Sequence, residues 1–252
     1  MPTPETTSTN RQRLERNRLN SDDLRAVHPG PRARPVSSVT HPGPGWTLIL
    51  PLKGGPAAKS RLGAPSALAT AIALDCLDAV LASDRVDAVV VVTPDPRLAA
   101  EAVAAGARVQ GESTPGGGLL SAVTDGLDAV LGRCAVLLGD LPALRAEDLD
   151  TALELAGELL TRATGGQTAP PMVFVPDAEG TGTVLLTALG AAAMRPSFGP
   201  ASASAHQAAG ALRLDVDLPR LRRDVDTPAD LRTAVEFGVG PRTTAVLAEI
   251  TV

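Results

Sequence analysis

The sequence predicts an α/β protein with a mainly parallel central sheet flanked by helices. Three observations carry this. Short, almost purely apolar runs such as Val86–Val92 and Cys134–Leu138 have the composition of strands buried on both faces. They alternate with segments whose apolar residues recur at helical spacing. Charged and glycine-rich residues cluster directly after strands, where open parallel sheets bind ligands.

The elements follow in order. Trp46-Thr47-Leu48-Ile49-Leu50 is a buried strand, and Ser66–Ala82 is a helix with Leu68, Ile72, Leu77, Val80 and Leu81 on its apolar stripe. Val86–Val92 is a strand, Leu98–Ala105 a helix, Ala107–Gln110 a short strand and Leu119–Leu131 a third helix. Cys134–Leu138 is a buried strand and Ala146–Leu160 an acid-bearing helix. Met172–Val175 and Val184–Thr187 are strands, Ser202–Ala209 a short helix, Leu212–Val216 a strand and Pro228–Phe237 the last clear helix.

Residues 1–45 are set apart by composition. They hold nine apolar residues, seven prolines and seven arginines against four acids, a net +3 in a chain of net −5. Such a segment buries too little surface to offset its ordering entropy. It is expected to be a disordered or loosely ordered extension, solvated or docked on an acidic partner, ahead of a single domain over 46–252.

Composition also excludes functions. Aromatics are 2% and the charge is negative, so neither base stacking nor a phosphate backbone points to nucleic acid. Two cysteines, Cys76 and Cys134, make no disulfide framework and no tetrahedral zinc site. No apolar run approaches the ~18 residues of a membrane span, and no apolar N-terminal segment resembles a secretory signal. The expectation is a cytoplasmic protein with no membrane and no nucleic-acid partner.

Four regions could carry chemistry. After the first strand, Lys53-Gly54-Gly55 leads to Ala58-Lys59-Ser60-Arg61, a glycine-rich loop with three cations suited to phosphates. It is neither a Walker A loop, since Ala58 stands before Lys59, nor a dinucleotide fingerprint. Gly116-Gly117-Gly118 precedes the third helix and offers N–H donors to an anion or a base edge, or is simply a flexible loop with a cap. Asp140 ends a buried strand, as a ligand of a hard cation or as a turn residue. In Asp224-Val225-Asp226-Thr227-Pro228-Ala229-Asp230, Thr227, Pro228 and Asp230 read as a helix cap. That leaves Asp224 and Asp226, like charges on one side of an extended segment, which a divalent metal explains. Asp215 and Asp217 form a similar pair ahead of a proline turn.

Two further segments stand out: Gly180-Thr181-Gly182-Thr183 precedes a strand and Phe198-Gly199-Pro200-Ala201-Ser202 a helix. Ser202 is an N-cap, or joins Gly199 in donating to an anionic ligand. His206, one turn on, is a surface histidine or touches the same ligand.

Pro51-x-Lys53, Ala58-Lys59-Ser60-Arg61-Leu62, Gly139-Asp140-Leu141-Pro142, Gly180-x-Gly182-Thr183, Phe198-Gly199-Pro200-x-Ser202 and Asp224-Val225-Asp226-Thr227-Pro228 occur in this order. Together, from about Trp46 to Phe237, they resemble the guanylyltransferases of coenzyme F-420 biosynthesis, which act on phosphoenolpyruvate or 2-phospho-L-lactate. The resemblance implies a nucleotide-diphospho-sugar transferase-like, Rossmann-like fold. It implies that Lys53, Gly54, Lys59, Arg61 and Gly118 hold GTP, with Lys53, Lys59, Arg61 and Asp140 serving catalysis. It further implies that Asp140 and Asp226 hold Mg²⁺ and that Thr183, Gly199 and Ser202 hold the acceptor. The implied reaction gives enolpyruvyl-2-diphospho-5′-guanosine and pyrophosphate, by a monomer or homodimer. Where the family has Gly-Leu-Asn, this chain has Gly118-Leu119-Leu120, without the amide. The alternatives are 2-phospho-L-lactate or 3-phosphoglycerate as acceptor, or a non-catalytic nucleotide-binding α/β domain.

Overall fold

The computed structural model describes residues 45–53, 65–114, 116–128, 130–163 and 172–250. The extension expected over 1–45 therefore lies outside the described residues, except Gly45, whose N–H donates to Asp87 Oδ2 at 3.0 Å.

Seven strands form one sheet in the order β3-β2-β1-β4-β6-β5-β7. They are β1 (Trp46–Pro51), β2 (Val86–Val92), β3 (Arg108–Gln110), β4 (Cys134–Leu137), β5 (Val173–Pro176), β6 (Thr183–Ala188) and β7 (Leu212–Arg213). β1, β2, β3 and β4 pair in parallel. β6 runs antiparallel between β4 and β5, while β7 is parallel to β5. The reversal has a local cause. Residues 177–182 are too few for the crossover that a parallel return requires, so β5 and β6 form a hairpin.

Successive strand residues face opposite layers. Leu48, Leu50, Val89, Val91, Leu137 and Val175 pack in one core with residues of α1 (Ser66–Leu81), α2 (Pro96–Ala105) and α4 (Ala146–Ala163). Ile49, Val90, Val92, Val136, Phe174 and Leu186 pack in the other with residues of α3 (Gly118–Asp128) and α5 (Ser202–Ala208). Burial on both faces is why these strands read as continuous apolar runs.

The remaining helices are α6 (Pro219–Arg222), α7 (Pro228–Phe237) and α8 (Pro241–Ile250). The cap expected at α7 is present: Thr227 accepts from the Asp230 N–H, the Asp230 side chain reaches back, and Pro228 opens the helix. α8 lies beyond Pro228–Phe237, the last clear helix that the sequence predicts. Its cap comes from elsewhere: the buried Asp75 of α1 accepts the Arg242 and Thr243 N–H groups at 3.1 and 2.7 Å. The expected strand 212–216 pairs only at Leu212–Arg213, after which the chain leaves the sheet toward α6.

Candidate active site

The site is built where the strands end. Lys53, exposed, directly follows β1 and Leu52. Leu52 packs so closely on Gly139 that a Cβ at position 139 would overlap it, so glycine lets the exits of β1 and β4 lie side by side. The loop after Lys53, with Gly54, Lys59 and Arg61, lies outside the described residues. Gly118 opens α3, exposed and with φ +81°. Leu120 on the same turn is 46% exposed, an apolar side chain facing solvent.

Asp140 follows β4 and Gly139. Its carbonyl accepts the Val225 N–H at 3.0 Å, which fastens the 224–226 segment to the end of β4. Asp224 thereby enters a crowd of carboxylates. Burial, then the charges of Asp140, Asp226 and Asp177, push its carboxyl up to about 7. Asp226 is exposed and stands at the start of the α7 cap, its N–H donating to Asp230 Oδ2 at 3.3 Å. The charges of Asp140 and Asp226, both expected from sequence, thus act on Asp224.

Asp177 was missed. It directly follows β5, as Asp140 closely follows β4, so the same signal was present. Its two oxygens accept the Thr181 and Gly182 N–H groups at 2.8 and 2.7 Å and so shape the β5–β6 turn. Gly182 is required there because a Cβ would occupy the space of the Asp177 carboxylate. Asp177, Glu179 and Asp224 each place a carboxylate oxygen within 4.8 Å of the others. Glu179 is also ion-paired to Arg223 at 2.6 Å. Asp215 is paired to Arg213 at 2.9 Å rather than held for a ligand.

Thr183, Gly199 and Ser202 sit on neighbouring segments. The Ala203 N–H donates to Thr181 O at 3.1 Å, docking the start of α5 on the β5–β6 turn. Ser202 is not an N-cap. That position is Ala201, in the left-handed region with φ 57°, and no side chain caps the helix. The Ser202 N–H donates to Gly199 O at 3.1 Å, so the first two N–H groups of α5 already have partners. An anion there relies on the Ser202 hydroxyl and on other backbone groups rather than on the open helix end.

His206 is not a surface histidine. It is fully buried, between Phe174 and Phe198 with ring centroids 5.9 and 5.2 Å away. Its ring joins Thr183 Oγ1 at 2.9 Å and the Ser197 N–H at 2.8 Å. Burial lowers its pKa to about 4, so it is neutral at physiological pH. Cys76 lies beneath the site with its thiol on Leu138 O at 3.7 Å. Burial and then the Asp140 charge push its pKa far up, which makes it inert. Cys134 is likewise buried.

Comparisons with known proteins bear on the family and the fold. Residues 69–196 match the MobA-like NTP transferase domain. A phosphoenolpyruvate guanylyltransferase of Geodermatophilus obscurus is 45% identical over 214 residues, covering 80% of this chain and 94% of that protein. One of Salinispora arenicola is 47% identical over 206 residues, covering 79% and 91%. Among solved structures, a nucleotidyl transferase from Methanothermobacter shares the fold with a TM-score of 0.55 at 17% identity, over 77% of this chain and 98% of that one. The chain belongs to the phosphoenolpyruvate guanylyltransferase family, within the MobA-like NTP transferases.

Proposed function

We propose that this protein transfers GMP from GTP to phosphoenolpyruvate, forming enolpyruvyl-2-diphospho-5′-guanosine and pyrophosphate, in coenzyme F-420 biosynthesis. The observation that carries the reaction class is that the 224–226 segment is fastened to Asp140 at the end of β4, where the charges of Asp140 and Asp226 act on the partly buried Asp224, in a chain that closely matches guanylyltransferases. Like charges this close, with Asp224 partly desolvated, are costly without a cation. The donor set is all carboxylate oxygen, which suits a hard ion such as Mg²⁺. Asp140, Asp224 and Asp226 are its proposed ligands. Asp177 is occupied in shaping the turn and Glu179 in pairing with Arg223. When bound, the ion supplies charge neutralisation on the phosphates.

The residues of the chain supply the rest. Lys53, with Lys59 and Arg61 of the adjoining loop, holds the triphosphate, and Gly54 and Gly118 allow close approach to the nucleotide. Thr183, Gly199 and Ser202 hold the carboxylate and phosphate of the acceptor. A phosphate monoester is already largely ionised at pH 7. Its oxygen forms a bond to the α-phosphorus of GTP while the bond to the α–β bridging oxygen breaks and pyrophosphate leaves. No protein base is needed, so catalysis reduces to alignment and charge stabilisation. We place the reaction in the cytoplasm, in a monomer or homodimer. Among the described residues no helix is long and apolar enough to cross a membrane.

A pyrophosphate-release screen of GTP, ATP and CTP against phosphoenolpyruvate, 2-phospho-L-lactate and 3-phosphoglycerate tests this. Release with GTP and phosphoenolpyruvate is expected. Release only with another acceptor would replace phosphoenolpyruvate, and GTP binding with no release from any pair would make the domain non-catalytic.

A further inference from the structure

In the buried hydrogen-bond chain Ser197–His206–Thr183 only Thr183 has a part in the chemistry just described, yet the chain touches every segment that carries a proposed acceptor-binding residue. The Ser197 N–H donates to His206 Nε2 at 2.8 Å. That nitrogen therefore carries no proton, and in a neutral ring the proton is on Nδ1. Nδ1–H in turn donates to Thr183 Oγ1 at 2.9 Å. Having accepted, the Thr183 hydroxyl keeps its own hydrogen to donate elsewhere. The direction of the chain is fixed by its backbone end, because an N–H can only donate.

The geometry has a second consequence. His206 and Ser202 lie one turn apart on α5, four residues along the same face, and both are buried. Through the imidazole, α5 is tied to the start of β6, where Thr183 sits, and to the loop that leads from Ser197 to Gly199. Phe174 and Phe198 hold the ring from two sides and keep water out. Simple packing of a buried residue would need neither directional bond. A buried histidine with both nitrogens engaged, each by a different segment of the chain, is a brace.

We propose that His206 is a positioning residue for the acceptor. It fixes the Thr183 hydroxyl and the 197–199 loop at the spacing that the phosphorylated carboxylate requires, without itself touching the reacting atoms. This rests on the assignment of Thr183, Gly199 and Ser202 to the acceptor.

The test is steady-state kinetics of four single variants and one double variant, with thermal melting as a control for folding. His206→Phe removes both bonds but keeps the ring's shape. His206→Gln retains an acceptor near the Nε2 position for Ser197. His206→Asn retains a donor near the Nδ1 position for Thr183. Thr183→Val keeps the shape of Thr183 and removes only its hydroxyl. His206→Phe is expected to raise the KM for phosphoenolpyruvate roughly tenfold or more, with the KM for GTP within about twofold. His206→Gln and His206→Asn should each recover part of that loss. Adding Thr183→Val to His206→Phe should cost much less than Thr183→Val alone, since the hydroxyl has already lost its orientation. Equal rises in both KM values, an unchanged KM for phosphoenolpyruvate in a folded variant, or full additivity of the two substitutions would overturn the role. If His206→Phe fails to fold, the split in His206→Gln and His206→Asn decides in the same way. If the wild type turns over a different phosphorylated carboxylate, the choice of acceptor is wrong, and the same split measured with that acceptor decides the role of His206.

Discussion

The two halves of the site solve opposite electrostatic problems. On the proposed nucleotide side, burial and then the charges of Asp140, Asp226 and Asp177 push Asp224 toward its neutral form. On the proposed acceptor side, Thr183, His206 and Ser197 form a neutral chain in which both ring nitrogens are engaged. The first arrangement is poised for something positive. The second is complete before any ligand arrives. A metal-assisted transferase needs both, since the cation must find charge waiting while a small acceptor must find its donors already aligned.

The largest effect should come from breaking the charged half. Asp140→Asn and Asp226→Asn keep the side-chain shape and remove a hard anionic ligand. Each is expected to lower turnover by about a hundredfold or more with the fold intact, as judged by circular dichroism and a cooperative melt. Normal rates and normal Mg²⁺ dependence in either variant would remove that residue from the cation site and with it the contrast between the halves.

A smaller effect sharpens the comparison through pH, because the two halves have opposite signs. His206 is held near 4, below its ordinary value. The unfolded chain takes up that proton first, so the contribution of His206 is fully present above pH ~6.5 and is lost as pH falls toward 4. Asp224 is raised to about 7, so the folded metal-free protein binds that proton first. Its penalty is fully present above pH ~7 and fades as pH falls toward ~4. Each is worth on the order of 3 kcal/mol. The metal-free wild type should therefore show a shallow change in urea midpoint from pH 7 to 4.5. Asp224→Asn should show a steeper acid loss, because the loss at His206 is then no longer offset. Parallel profiles for the two proteins would mean that Asp224 is not raised in the folded chain.

The smallest effect is expected from deleting residues 1–44. The residues assigned to both halves all follow β1, which begins at Trp46. Turnover should stay within a few-fold of the full chain. Loss of activity in a truncation that still melts cooperatively would mean that the extension completes one of the halves.

The sequence by itself determined the α/β class, the strand runs, the strand-end position of Asp140 and the Thr227-Pro228-Asp230 cap. All of these are local: apolar runs report burial, and a cap is written in four adjacent residues. The pairing of Asp224 with Asp226 was also legible as two like charges on one extended segment. Tertiary structure decided the rest. Asp177 joins the site because the hairpin to β6 brings the end of β5 beside the 224–226 segment, contacts across some 47 residues of chain. The cap of α8 is Asp75, 168 residues from Thr243. His206 is indistinguishable in sequence from a solvent-facing helix residue until Phe174, Phe198 and Thr183 close over it. Desolvation and charge crowding depend on which distant segments meet, so the pKa of Asp224 and the brace at His206 exist only once the sheet is assembled.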